Sequence, residues 1–502
     1  MESLSQIKRY MECVQGDKDF REASNTGEFS ADQRAYLKEV GVMFEPEELS
    51  VLWEQPEAMI EVYQQMAEID NYDDLSENVR TLIASSPILE IWMRYRTIRG
   101  GMYKKHAKAI PLLDFGDPRF NAWRKRRIMS TRSELGNYGH QIDHPSLAIE
   151  LQVGCSVGCG FCAFDAPKLT KVFDYTAPGN KEFFEGIATV LTKLMGPVGA
   201  SHALLYWSTE PHDNPNYIDF MKSYEKITGY SVCTATARSD ERWIRDLIAY
   251  YRKFPAPWPR ISVLSKKIMQ KLHRQFTPYE FRDVGLLMQQ SDAEVFREKV
   301  PGGRDKMMEK LKAGSDLRDM EEPNIDLVKV AQGSIACVSG FLINAITKTV
   351  MLSSPCYTSV THRYGYRVFD QGTFETPEDL ERVMRDMVER CMPLSPYPEM
   401  PMRFRDDFSF RAKEGGFDLV SPNQIHHFND SPVWKPLGSL IDGGTLNYEA
   451  LIDALVCDHG INLMIASAAV RNLFDGAFLD ELGLDAKASN VLPSRSKQAM
   501  SA

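Results

Sequence analysis

Cys155, Cys159 and Cys162, in the run Gly-Cys-Ser-Val-Gly-Cys-Gly-Phe-Cys, constrain this chain more than any other feature. Iron–sulfur clusters are held by cysteine thiolates, normally four for a [4Fe–4S] cube. Three cysteines spaced C-x3-C-x2-C would leave one iron without a protein ligand. An open coordination position marks a reactive metal centre, by the logic that separates catalytic from structural zinc. Gly154, Gly158 and Gly160 let the backbone wrap tightly because glycine tolerates positive φ. The competing readings are a zinc knuckle and buried structural cysteines. Zinc would want a fourth Cys or His at short spacing, and none follows Cys162 closely.

The rest of the composition narrows the class. A length of 502 residues suggests two to four domains. With 43% hydrophobic and 25% charged residues the chain reads as an ordinary globular protein. No apolar run approaches the ~18 residues that span a bilayer, and the opening Met-Glu-Ser-Leu-Ser-Gln does not read as a signal peptide. No membrane association is therefore expected. The other six cysteines (Cys13, Cys233, Cys337, Cys356, Cys391 and Cys457) are scattered and form no disulfide framework. A reducing cytoplasm is the compartment that suits an oxygen-sensitive cluster. The formal net charge of −10 argues against a nucleic-acid partner, which calls for a basic surface.

Five regions are expected. Residues 1–60 read as short amphipathic helices: Ile7, Tyr10, Met11 and Val14 share one face, a helix over 31–40 ends at Gly41, and Pro46 opens another. Residues 61–145 form a helical linker or cap, with Arg124-Lys-Arg-Arg127 as a solvated face or a dock for an acidic peptide or a phosphorylated electron donor. Over 146–400 strands alternate with helices, which argues for a parallel sheet with crossover connections. Strands are expected at 148–153, 203–207, 230–237, 260–264, 334–342 and 348–352, with 275–322 as a polar helical insertion. Residues 401–488 form a separate small unit of two strands and helices, and 489–502 a disordered tail.

The cysteine spacing, with Phe161 before the last cysteine, resembles the radical S-adenosylmethionine (SAM) superfamily. That resemblance implies an α/β fold with a partial (β/α)6 barrel, whose chemistry sits at the C-terminal ends of the strands. It implies a [4Fe–4S] cluster on Cys155, Cys159 and Cys162, with SAM chelated at the open iron and cleaved to a 5′-deoxyadenosyl radical. The segment Ser208-Thr209-Glu210-Pro211 stands where the superfamily carries Gly-Gly-Glu-Pro, the acid and proline retained and the glycines replaced. Glu210 would then meet the SAM ammonium in a charge-assisted bond, or else cap a helix. Thr234, Thr236, Arg238 and Ser262, at the ends of later strands, are candidates for the ribose or carboxylate.

Cys356, in Ser-Ser-Pro-Cys, follows the last expected barrel strand, and buried cysteines are usually inert packing. Taken together with Gly365-Tyr-Arg-Val-Phe369, the chain resembles radical SAM peptide epimerases that convert L- to D-residues in ribosomally made, proteusin-type precursors. The resemblance implies that Cys356 returns a hydrogen atom to the Cα radical. Residues 1–50 resemble precursor leader segments, and 401–488 a winged-helix-like precursor-recognition domain. The implied partners are a precursor peptide and a flavodoxin- or ferredoxin-type electron donor. Other radical SAM peptide modifiers, and a non-catalytic iron–sulfur peptide-binding protein, remain open alternatives.

Overall fold

The computed structural model describes residues 2–52, most of 61–69, 71–109, 113–136, 139–159, 162, 164, 166–254, 258–290, 293, 337–357, 362, 364–421 and 423–481. Gly160 and Phe161 of the cysteine run, most of the expected 275–322 insertion and the 489–502 tail lie outside them. The apolar stripe Ile7, Tyr10, Met11 and Val14 is buried along α1 (Glu2–Gly16), as its spacing requires. Among the described residues there follow α2 (Lys18–Thr26), α3 (Ala31–Glu39), α4 (Pro46–Leu49), α5 (Glu77–Ala84) and α6 (Pro87–Ala109). Asp17 caps α2, and Ser30 with Gln33 forms a reciprocal capping box on α3. Next come α7 (Pro118–Leu135), β1 (Leu147–Glu150), β2 (Gln152–Val153), β3 (Lys171–Val172), α8 (Asn180–Ser201) and β4 (Ala203–Leu204). Then follow α9 (Tyr217–Thr228), β5 (Ala235–Thr236), α10 (Glu241–Tyr251), β6 (Arg260–Val263), α11 (Lys266–Gln275) and β7 (Gly285–Met288). The later elements are β8 (Gly340–Asn344), β9 (Thr349–Pro355), β10 (Tyr366–Thr373), α12 (Pro377–Cys391), β11 (Ser409–Lys413), β12 (Gly416–Val420), β13 (Ile425–Phe428), α13 (Trp434–Asp442), α14 (Tyr448–Cys457) and α15 (Leu463–Asp475).

This mixed α/β chain divides into two compact units that are not contiguous in sequence: 1–110, 210–218 and 233–297, and 111–209, 219–232 and 298–502. In the first unit the N-terminal helices share one core, and β5, β6 and β7 form a parallel sheet covered by α10 and α11. The buried Arg9 guanidinium on α1 donates to Val40 O (3.0 Å), His273 O (3.0 Å) and Phe276 O (2.9 Å), fixing α1 against the end of α11. Gln290 Nε2 donates to Gly16 O at 2.9 Å. The leader-like helices are thus built into this unit's own core.

In the second unit β1 lies between β8 and β4 in a five-stranded sheet, ordered β10-β9-β8-β1-β4. Both neighbours of β1 are parallel to it, which makes Leu-Ala-Ile buried on both faces. A hairpin then reverses the chain: Asn344 Oδ1 accepts from Ile346 N and Thr347 N, both at 3.0 Å, and Lys348 takes a positive φ of 51°. Consequently β9 and β10 are antiparallel. The C-terminal region carries its own core around Phe417, Leu437, Leu451 and Val470, with the antiparallel sheet β11-β12-β13 and helices α13 to α15.

Three expectations are corrected. Arg124, Arg126 and Arg127 are buried, each 2% exposed, and so form neither a solvated face nor a dock. Arg124 donates to His144 O at 2.7 Å, while Arg126 and Arg127 clasp Glu481. Gly285–Met288, expected inside a helical insertion, is a strand that completes a parallel sheet. The expected 230–237 strand pairs only over Ala235–Thr236. Among the described residues no helix is long and apolar enough to cross a membrane.

Candidate functional site

The cysteine loop follows the C-terminal end of β1, an interior strand of the five-stranded sheet. After β1 the chain continues as β2, which pairs antiparallel with β3, so the residues between return to their starting point. Thr170 N donates to Val153 O (2.9 Å) and Cys155 N to Pro167 O (2.9 Å), closing the loop's base. Gly154 and Gly158 have φ of 88° and 67°, as a tight wrap requires. A Cβ on Gly154 would sit 2.3 Å from Lys168 O, so glycine is obligatory there. Cys155, Cys159 and Cys162 are all half-buried and in no disulfide.

Three accessible thiols on one pinned loop are a donor set that suits an iron–sulfur cluster anchored at three corners. Among the described residues no three His, Cys, Asp or Glu side chains are already gathered closely enough to hold a metal ion. Phe164, on the same loop, packs on Trp207 with ring centroids 4.6 Å apart, and Trp207 packs on Tyr366 at 4.9 Å. The cysteine loop therefore connects through aromatic rings to β10. A cavity of about 600 Å³ opens beside β3, lined in part by Lys171, Asn180, Phe183, Ile346 and Lys348.

Glu150 ends β1 directly before the loop and is 8% exposed. Its carboxylate accepts from Ser208 N (3.1 Å), from Ser208 Oγ and from Asn344 Nδ2 (3.3 Å). It therefore ties together the C-terminal ends of β4, β1 and β8. Burial pushes its pKa up, against the lowering effect of those neutral donors. Sequence reasoning did not single out this residue. The available signal was an acid closing an otherwise apolar strand, Leu-Ala-Ile-Glu.

The other expected SAM contacts fall as follows. Ser208 is engaged by Glu150, and Thr209 is half-buried beside it in sequence. Within the first unit, Glu210 caps the short turn opened by Pro211, accepting from His212 N at 3.1 Å. It also accepts from Thr236 Oγ1 and from Ala237 N (2.9 Å), and burial raises its pKa. Glu210 and Thr236 are thus brought together, and Arg238 N joins them by donating to Thr236 Oγ1 at 3.0 Å. Thr234 is engaged by Tyr217, with 3.0 Å between the two hydroxyl oxygens. Ser262 is not brought to Thr236. Thr236 is level with Ile261 on β6, so the next residue, Ser262, points to the other face.

Cys356 stands elsewhere than a parallel strand would have put it. Because β9 is antiparallel, Ser353 is level with Gly340, at the start of β8, and Cys356 lies beyond that end. It pairs across from Gly365, its backbone N–H donating to Gly365 O at 3.0 Å. Neighbours on a strand face opposite ways, so Cys356 shares a face with Arg367, while Tyr366, on the other face, meets Trp207. The environment of Cys356 is fully knitted. Arg367 pairs with Glu134 and with Asp406 (2.8 Å), and Glu134 also accepts from Tyr357 N at 3.0 Å. Arg405 pairs with Asp407 at 2.8 Å, and His362 lies 3.7 Å from Asp406. Burial first, moderated by Arg367 and reinforced by Glu134, Asp406 and Asp407, holds Cys356 as a neutral thiol.

No family model matches the chain, and no solved structure matches it. The chain is 31% identical over 487 residues to a protein of Sinorhizobium fredii named "Uncharacterized protein y4wI", the match covering 95% of the chain and 88% of that relative. The chain belongs to the family of that protein.

Proposed function

We propose that the protein is a radical SAM enzyme that epimerises residues in a ribosomally made precursor peptide. The single observation that carries the reading is the three-thiol loop, pinned by Gly154 and the β2–β3 ladder at the C-terminal end of a parallel strand. Cys155, Cys159 and Cys162 would hold a [4Fe–4S] cluster within a partial (β/α)6 barrel. That cluster, with SAM bound, supplies reductive cleavage of the sulfonium and a 5′-deoxyadenosyl radical. The proposed SAM contacts are Ser208 and Thr209 and, in the first unit, Glu210, Pro211, Thr236 and Arg238; Ser262, on the other face of its sheet, is not among them. Phe164, on the loop, packs against the buried Trp207. The unit from 401 to 488, read as winged-helix-like, is the proposed precursor-recognition domain, and a flavodoxin- or ferredoxin-type protein the proposed reductant.

Cys356 is the proposed hydrogen donor, and its retention as S–H suits that role because a thiolate has no hydrogen atom to give. Its position on the Arg367 face favours a second reading, a radical SAM peptide modifier that needs no returning thiol. One experiment separates the readings. The protein is reconstituted anaerobically with iron and sulfide, then given SAM, dithionite and peptides from adjacent small reading frames in D2O. Epimerisation forms 5′-deoxyadenosine and adds one deuterium at Cα per converted residue, whereas crosslinking removes two hydrogens. Cys356→Ala should still cleave SAM but yield little D-residue; unchanged yield removes Cys356 from the mechanism. Absence of both a cluster spectrum and 5′-deoxyadenosine refutes the proposal as a whole.

A further inference from the structure

Burying a carboxylate without a counter-charge is costly, so buried acids are normally paired with cations. Among the described residues the buried acids of the second unit follow that rule, with one exception. Glu134 faces Arg367 and Arg405, Asp418 faces Lys413 at 2.6 Å, and the Glu481 side chain, 2% exposed, faces Arg126 and Arg127. Glu150 has only neutral donors: the Ser208 amide and hydroxyl and the Asn344 amide. Among the described residues no Lys, Arg or His forms an ion pair with it, and no charged group figures among the causes of its raised pKa.

The surroundings are built to keep this acid in place. Asn344 is itself fixed by the hairpin amides of Ile346 and Thr347 and by its bond to Gln152 O at 3.3 Å. Ser208 is held at both its amide and its hydroxyl. The carboxylate thus sits at a defined point, at the root of the cysteine loop, where the C-terminal ends of three parallel strands meet. Ligands of parallel α/β sheets bind at that end of the strands.

We propose that Glu150 is a binding residue for a cationic group of a ligand, an ammonium or sulfonium, which supplies the positive charge the fold withholds. The inference deepens the radical SAM reading, since SAM carries both cations, while a lysine side chain of a peptide substrate carries one. Binding such a group favours the ionised acid, so it expels a proton wherever the empty protein holds Glu150 protonated. Affinity should accordingly fall as the pH is lowered through the raised pKa.

The test is calorimetric and needs no turnover. The full-length protein is titrated with SAM, with S-adenosylhomocysteine, with methylthioadenosine and with Nα-acetyl-lysine amide, each in two buffers of different ionisation heat. The expected result is proton release with one cationic probe and none with methylthioadenosine. A SAM-only response assigns the sulfonium, a shared SAM and S-adenosylhomocysteine response the amino-acid ammonium, and a lysine-amide response the peptide. Glu150→Gln should bind that probe 10- to 100-fold more weakly and without proton release, at an unchanged far-ultraviolet spectrum. Equal binding and equal proton release by Glu150→Gln, or no binding of any cationic probe to the wild type, overturns the proposal. If cationic binding is seen but dithionite yields no 5′-deoxyadenosine, the radical reading fails while this one stands.

Discussion

The two ends of the central sheet in the second unit treat charge in opposite ways. At one end, Glu134, Asp406 and Asp407 share the guanidiniums of Arg367 and Arg405 in a network around a buried thiol, each acid in contact with an arginine. At the other, Glu150 is buried among neutral donors beneath a loop of three half-buried thiols. In the first arrangement every carboxylate faces a guanidinium and the thiol is held protonated. In the second the buried acid meets only neutral donors, and the three thiols beside it are half-buried. The presence or absence of a cation beside a buried carboxylate, more than residue type, separates the two ends.

The largest contrast should appear in thiol reactivity. In metal-free protein, iodoacetamide at pH 8 should alkylate Cys155, Cys159 and Cys162 roughly 100-fold faster than Cys356, because thiolate fraction and access govern the rate. Peptide mass mapping reads the outcome, and equal labelling would erase the distinction. Next in size, Glu134→Ala leaves Arg367 buried and undermatched, and should lower unfolding stability by ~3–5 kcal/mol in denaturant titration. Gly154→Ala forces a side chain into a positive-φ position against Lys168 O. It should cost roughly 1–3 kcal/mol and prevent iron loading, read by the absorbance of reconstituted protein.

The smallest effect carries the most information, because its sign differs. An acid whose folded pKa is raised contributes stability below its unfolded pKa and loses it as the pH climbs through the folded value. Glu150→Gln should therefore be as stable as the wild type or more so at pH 8, the advantage vanishing toward pH 4. Thermal melts across that range check it. A loss at pH 8 comparable with that of Glu134→Ala would put Glu150 among the ordinary structural acids.

Much of this organisation was legible in the residues. The wrap of the cysteine loop followed from Gly154 and Gly158, and the stripe on α1 from its helical spacing. The expected strand over 260–264 is β6, Arg260–Val263. Strand direction was not legible. The turn that reverses the chain after β8 uses an Asn344 side chain and a left-handed Lys348, neither of which stands out in sequence. That turn places Cys356 beyond the start of β8 rather than beyond its end. The Arg124–Arg127 run looked solvated because its matching acid, Glu481, lies more than 350 residues away along the chain. Glu150 was overlooked because a missing partner leaves no mark in a sequence.

The interleaving of the two units bears on how this chain can be dissected. The backbone passes from one unit to the other five times, at 110/111, 209/210, 218/219, 232/233 and 297/298. Trimming the leader-like helices from the gene would not detach an accessory. It would strip Arg9 from the carbonyls of His273 and Phe276 and bare the face of α11 that α1 covers. A shortened protein that no longer modifies peptide would report collapse of its own scaffold, and should not be taken for evidence of lost recognition.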